Sequence, residues 1–247
     1  MHGASNNTAQ LLRNNWRRVS EEIAEACHAV GREADQVRIV GVSKYVVPEL
    51  AWQLAQAGCH ILAENRPQLL WDKTDYFAQQ AVGIDSSHAN RPNSSRAEAS
   101  SQQWHLIGHL QRNKLRRTLP LISLLHSLDS PRLADAISAE GASSNTRHGA
   151  LLEVNVTQDA SKTGMAITQV RELLDRVQEL PGLAIRGLMA MSSLQASPDS
   201  ARREFEQVRQ LRDQLQHEYQ EQIDLSELSM GMSGDFREAI AAGATLV

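Results

Sequence analysis

Lys44 closes the apolar run Val37-Arg38-Ile39-Val40-Gly41-Val42-Ser43, and Pro48-Glu49 opens a helical pattern four residues later. A lysine at the C-terminal lip of a buried strand stands where α/β proteins place their chemistry. The chain's 25 basic residues are 21 arginines and only four lysines, Lys44, Lys73, Lys114 and Lys162. Arginine keeps its proton at neutral pH, whereas a desolvated lysine can become a neutral amine and attack a carbonyl. Lys44 is therefore the candidate for Schiff-base chemistry; the alternative is a strand-end lysine that merely reaches solvent. The run Ser229-Met230-Gly231-Met232-Ser233-Gly234 is the second candidate. It joins a strand to a short helix beginning near Asp235. Its two glycines let backbone amides approach a ligand, and a helix N-terminus carries about half a positive charge. With the Ser229 and Ser233 hydroxyls as further donors, the run suits a phosphate. An ordinary strand-to-helix turn, capped by Ser233 or Asp235, remains the alternative.

Asn65 follows Glu64 at the end of a second strand, just before Arg66-Pro67 opens a helix. It can orient a ring oxygen or cap that helix. In Trp104-His105-Leu106-Ile107-Gly108-His109, strand alternation sends His105 and Ile107 to one face and Trp104 and Leu106 to the other. His105 is then either a ligand contact or a hydrogen-bonded core histidine. The nine histidines show no paired ligand spacing, and Cys27 and Cys59 form no C-x-x-C, so no metal site is expected. A serine-hydrolase elbow (G-x-S-x-G) and a phosphate-binding P-loop are both missing from the sequence. Arg112-Asn113-Lys114-Leu115-Arg116-Arg117 reads as a solvated helix face, or as a surface for an anionic partner.

Eight candidate strands can position these residues: 38–43, 60–63, 104–107, 124–127, 151–156, 184–189, 227–230 and 244–247. Between them lie helical patterns near 48–57, 66–77, 112–119, 131–140, 167–180, 199–218 and 235–242. An amphipathic helix over 8–30 comes first, with Leu11, Leu12, Val19, Ile23, Ala26 and Val30 near one face. Strand-then-helix alternation implies parallel strands with helical crossovers. Seven such units and a final strand, in about 210 residues, fit an α/β fold of the (β/α)8 TIM barrel type with an extra N-terminal helix. The expectation is a single domain over 1–247; an open doubly wound sheet is the alternative. A barrel would gather Lys44, Glu64, Asn65, Gly108, His109, Asn155, Met189 and the 229–234 run at one mouth. Residues 79–103, rich in serine and poor in apolar side chains, read as a polar surface insertion, and 141–149 as a shorter polar loop.

Composition narrows the function classes. An apolar fraction of 41%, a charged fraction of 22% and a net charge of −4 are those of an ordinary globular protein and argue against a nucleic-acid surface. No apolar stretch approaches the roughly 20 residues that span a bilayer, and no basic-then-apolar leader opens the chain. A cytoplasmic, membrane-free protein with two reduced, buried thiols is expected.

Read together, several strings carry a resemblance. Val40-Gly41-Val42-Ser43-Lys44, Ala63-Glu64-Asn65-Arg66, Trp104-His105-Leu106-Ile107-Gly108-His109-Leu110-Gln111-Arg112-Asn113-Lys114 and Leu228-Ser229-Met230-Gly231-Met232-Ser233 occur in that order. So do Glu153-Val154-Asn155-Val156, Ser161-Lys162-Thr163-Gly164 and Arg186-Gly187-Leu188-Met189. The series resembles the pyridoxal phosphate homeostasis protein family, whose barrel is like the N-terminal domain of alanine racemase. The match runs from about residue 8 to the end, interrupted at 79–103. The resemblance implies that Lys44 holds pyridoxal 5′-phosphate as a Schiff base, that Asn65 lies beside the ring, and that Ser229, Gly231, Met232 and Ser233 contact the phosphate. It implies a monomeric carrier of the cofactor serving vitamin B6 balance, without established turnover, and with cofactor-dependent apo-enzymes as recipients. The competing reading is an amino-acid racemase or related enzyme on the same barrel. Such racemases use a second domain and a partner subunit to supply an opposing catalytic base; with 247 residues largely committed to the barrel, no room is expected for that domain.

Three positions depart from the family pattern. Ala63 stands where glycine is usual, and Tyr45 where threonine is frequent. The chain stops at Val247, where relatives usually continue with an arginine–isoleucine–glycine string. That string would complete the eighth strand, so a truncated eighth strand and a gap in the barrel are expected, with a shortened sequence as the favoured cause.

Overall fold

The computed structural model describes residues 2–87, 102–156, 163–193, 195–220 and 222–247. Seven strands form one parallel sheet in chain order: β1 (Gly41–Val42), β2 (Ile61–Glu64), β3 (Gln103–Leu106), β4 (Leu124–Leu128), β5 (His148–Glu153), β6 (Leu183–Ala190) and β7 (Glu227–Met230). Parallel neighbours need crossovers, and helices supply most of them. After α1 (His2–Ala29) come α2 (Pro48–Gln56), α3 (Pro67–Ser87), the single turn α4 (Leu115–Thr118), α5 (Pro131–Ser143), α6 (Ile167–Asp175), α7 (Pro198–Glu218) and α8 (Phe236–Ala241). Four of them open on proline, whose fixed φ and missing N–H suit the first helical position. At α7 the Ser197 hydroxyl also accepts from the Ser200 amide at 3.3 Å.

The sheet curls until its edges share a partner. Leu246 bridges in parallel to Arg38 on one side and to Ser229 on the other. The Arg38 and Val40 amides donate to Thr245 and Val247 carbonyls at 2.9 and 2.8 Å, and the Met230 amide donates to Leu246 at 3.1 Å. Residues 245–247 thus fill the eighth place as a very short strand. The expected gap is spanned at this level, and the pairing ends at Val247.

Strand alternation sorts the side chains. Ile61, Leu124, Leu151, Met189 and Leu246 meet inside the barrel, with Val40 against them. The intervening Leu106, Leu125, Leu152, Leu188 and Leu228 face outward into a larger core shared with Ile137, Val170, Phe205 and Val208 of the helices. Along α7 the buried positions Ala201, Phe205, Val208, Leu211 and Leu215 recur at spacings of three and four, one stripe of a helix. Ile23, Ala26 and Cys27 of α1 pack with Ile240 of α8. Leu11 and Val30, expected on that buried face, are exposed. Cys27 and Cys59 are free and buried.

Two segments differ from expectation. Helix α3 continues through Ser87, so 79–87 is helical rather than part of an irregular insertion, and Gln103 already belongs to β3. The rest of that insertion, 88–101, lies outside the described residues, as do 157–162 with Ser161 and Lys162. The polar loop expected over 141–149 shrinks to 144–147 between α5 and β5. Among the described residues no helix is long and apolar enough to cross a membrane.

Candidate functional site

Lys44 sits two residues beyond β1, and the alternation of that strand decides where it points. Val40, Val42 and Lys44 share the inner face, and all three line a cavity of about 420 Å³ at the C-terminal ends of the strands. Ser43, on the outer face, is buried beneath them. Its hydroxyl donates to Glu64 Oε1 at 2.8 Å, and its main-chain oxygen accepts from Lys73 Nζ at 2.6 Å. Lys73 and Glu64 form an ion pair whose side chains are 3% and 0% exposed. Glu64 Oε2 is buried and has no hydrogen-bond partner among the described residues. A helix cation, a strand carboxylate and a loop hydroxyl therefore lock the backbone from which Lys44 projects. Tyr45, next along, is exposed, with Lys44 Nζ 5.2 Å from its ring centroid.

Asn65 lines the same cavity, as do Gly108 and His109. Gly108 has a steric reason to be glycine: a Cβ there would lie 2.1 Å from the Asn65 carbonyl oxygen. His109 Nδ1 lies 2.7 Å from Asp129 Oδ2 at the exposed rim. Across the cavity stand Ser229, Gly231 and Met232. Gly231 adopts φ +89°, and a Cβ on it would meet Ala239 Cβ at 2.7 Å, so the turn requires glycine. Ser233 is exposed and is not among the lining residues. The expected capping by Asp235 takes another form. Its carboxylate makes no cap bond to α8; Oδ1 accepts from the Met232 amide at 2.6 Å and Oδ2 from the Ser192 hydroxyl at 2.6 Å. Glu64, expected at the mouth, is buried below it, and Asn155 lines an adjoining recess of about 620 Å³.

Several contributors escaped the sequence reading. His126 lines the cavity, its Nδ1 2.8 Å from Ser229 Oγ and its Nε2 2.8 Å from His105 Nδ1. The alternation that turns Leu124 inward also turns His126 inward, so the signal was present. Burial, aided by the His105 and Arg38 charges, holds His126 well below the usual imidazole range. Burial, with Arg38 adding to it, brings His105 down to about 4. Among the described residues the serine–histidine–histidine chain ends on no carboxylate, so His126 is a poor base for activating Ser229 as a nucleophile. Glu153 also lines the cavity and accepts from the Thr163 hydroxyl. Burial above all pushes its carboxyl up, Asp129 adds to this, and the Thr163 hydrogen bond opposes it. Among the described residues no cluster suits a metal ion.

Residues 9–247 match the family model of the alanine racemase N-terminal domain. A pyridoxal phosphate homeostasis protein of Aquifex aeolicus is 35% identical over 230 residues, covering 93% of this chain and 91% of that protein. One from Vibrio cholerae is 31% identical over 236 residues, covering 96% and 92%. This chain belongs to the pyridoxal phosphate homeostasis protein family. Solved structures share its architecture. PipY of Synechococcus elongatus, solved with PLP bound, superposes with a TM-score of 0.73 at 28% identity, covering 91% of this chain and 95% of that one. An alanine racemase of Clostridium difficile shares the fold, with a TM-score of 0.61 at 12% identity, but the homeostasis-family barrel spans only 54% of it.

Proposed function

We propose that this barrel binds pyridoxal 5′-phosphate at its mouth, with Lys44 as the holding amine, and serves intracellular supply of the cofactor. The observation that carries the reading is the shared cavity of about 420 Å³, lined by Lys44 on one side and by Ser229 and Gly231 on the other. Its volume falls in the usual range of small-molecule sites. When bound, the cofactor supplies an aldehyde able to condense with a primary amine. Lys44 is half-buried and projects from a backbone clamped by Lys73 and Glu64. Val40, Val42, Ile107 and Met189 offer apolar walls to an aromatic ring, and Asn65 offers a polar edge. Ser229 and the Gly231 backbone would hold the phosphate. The Asp235 carboxylate occupies the Met232 amide, so Ser229 and Gly231 carry more of that contact than Met232 or Ser233. Relatives named for homeostasis, and PipY with its bound PLP, support the assignment.

The direct test is to incubate the purified protein with pyridoxal phosphate, reduce with borohydride, and map the modified peptide. A reduced adduct on Lys44, lost in Lys44→Ala, is expected; no adduct on Lys44 overturns the reading. We further assign a monomeric, cytoplasmic carrier without turnover that delivers the cofactor to dependent apo-enzymes. Sustained racemisation of alanine by the loaded protein would replace that part with the enzymatic alternative.

A further inference from the structure

Ser229, His126 and His105 form a hydrogen-bonded file across the barrel interior, with both junctions at 2.8 Å. One end opens at the mouth, where Ser229 and His126 line the Lys44 cavity. The other reaches the N-terminal ends of the strands, where His105 lines a cleft of about 240 Å³ with Arg38, Arg186 and Glu227. Among the described residues no carboxylate bonds to either imidazole, and burial favours the neutral form of both.

A neutral imidazole carries one N–H, so the two rings must match. If His126 donates from Nε2, His105 accepts at Nδ1 and bears its own proton on Nε2; Ser229 then donates to His126 Nδ1. If His105 donates from Nδ1, His126 accepts at Nε2 and donates from Nδ1 to Ser229, whose hydroxyl proton is freed toward the mouth. A mixed arrangement would set two lone pairs, or two protons, against each other at 2.8 Å.

We infer that the His126–His105 pair is a tautomer relay that sets Ser229 as a hydrogen-bond donor to an oxyanion in the mouth cavity. An anion rejects a hydroxyl that presents only lone pairs, and so selects the second arrangement. The switch balances: Ser229 passes its proton to His126 Nδ1 and takes one from water at the mouth. His126 passes its Nε2 proton to His105 Nδ1, and His105 releases its Nε2 proton to water in the floor cleft. Both rings stay neutral. His126 is in this account a positioning residue for the phosphate contact, and the inference rests on the proposed role of Ser229.

Long-range proton–nitrogen correlation spectra of the protein with labelled histidines test it. In the free protein both rings should carry the proton on Nε2, and with pyridoxal phosphate or inorganic phosphate both should carry it on Nδ1. Unmatched tautomers in the free protein, or tautomers unchanged when adduct formation on Lys44 shows the site filled, would overturn the relay. Failure of the Lys44 adduct itself would instead count against the proposed function, while the matched-tautomer requirement still stands or falls on the free protein. As a second arm, His126→Leu should lose about tenfold in preference for pyridoxal phosphate over pyridoxal, the scale of one hydrogen bond to a charged group. His126→Asn, which keeps a donor near the Nδ1 position, should restore most of it. Equal preference in wild type and His126→Leu would also overturn the proposal.

Discussion

Lys73 donates to the main-chain oxygen of Ser43 across 2.6 Å, so a residue of α3 holds the backbone immediately before Lys44. The same ammonium neutralises Glu64, which has no access to water. Ion pairs this deeply buried add little net stability, because desolvation offsets their attraction, yet losing one partner is costly. Lys73→Met should therefore destabilise the protein by about 3–5 kcal/mol in urea unfolding. The double variant Lys73→Met with Glu64→Leu should regain most of that loss. It should still form the Lys44 adduct more slowly, since the Ser43 carbonyl has lost its anchor. Wild-type adduct rates in the double variant would show that the pair has no part in presenting Lys44.

Gly231 joins a positive φ to a crowded contact. Gly231→Ala should cost about 1–3 kcal/mol through backbone strain and the clash with Ala239. It should weaken pyridoxal phosphate binding more than pyridoxal binding, as read by absorbance titration. Equal weakening of the two ligands would place the effect on the barrel wall rather than on the phosphate contact.

The two core histidines set an acid limit on the fold. Their folded pKa values lie below the unfolded value near 6.5, with His105 at about 4. The unfolded chain thus takes up protons that the native state refuses. Their stabilising effect is present above the unfolded value and is lost as pH falls from there toward 4 and below. His105 alone should account for about 3 kcal/mol of that loss. Urea midpoints should fall across this window in wild type, and less steeply in His105→Phe; identical slopes would contradict the assignment.

Glu153 works in the opposite sense. Its folded pKa is raised, chiefly by burial, so its contribution is present below the unfolded value and declines as pH rises through the folded one. Glu153→Gln should flatten the stability profile on that side and leave neutral-pH stability equal to or above wild type. Scanning calorimetry across pH 4 to 8 or so would check this, and a steeper profile in the variant would count against it.

Much of the frame was legible along the chain, because apolar periodicity and proline at helix starts act locally. The expected strands at 60–63, 124–127 and 227–230 fall within a residue or so of β2, β4 and β7, and the barrel expectation agrees with the parallel order. Helix α3 runs past the expected end near 77: Phe77 is buried, but Ala78, Gln79, Ala81 and Val82 beyond it are exposed, so the extra turns form without a packed face. At the site, Lys44, Asn65, Ser229, Gly231 and Met232 do line one cavity, while Ser233 does not. The Ser43–Glu64–Lys73 lock and the His105–His126 contact depend on which strands and helices become neighbours. Register across the sheet sets those meetings, and no single window of sequence contains it.

The seam at residues 245–247 has a kinetic consequence. Val40 and Val247 are bonded partners far apart in sequence, and such a contact closes a long loop at an entropic cost. Lys44 lies on one margin of the seam and Ser229 on the other. A ligand gripped by both would act as a clasp, slowing from reopening the joint that brings together the most distant segments of the barrel.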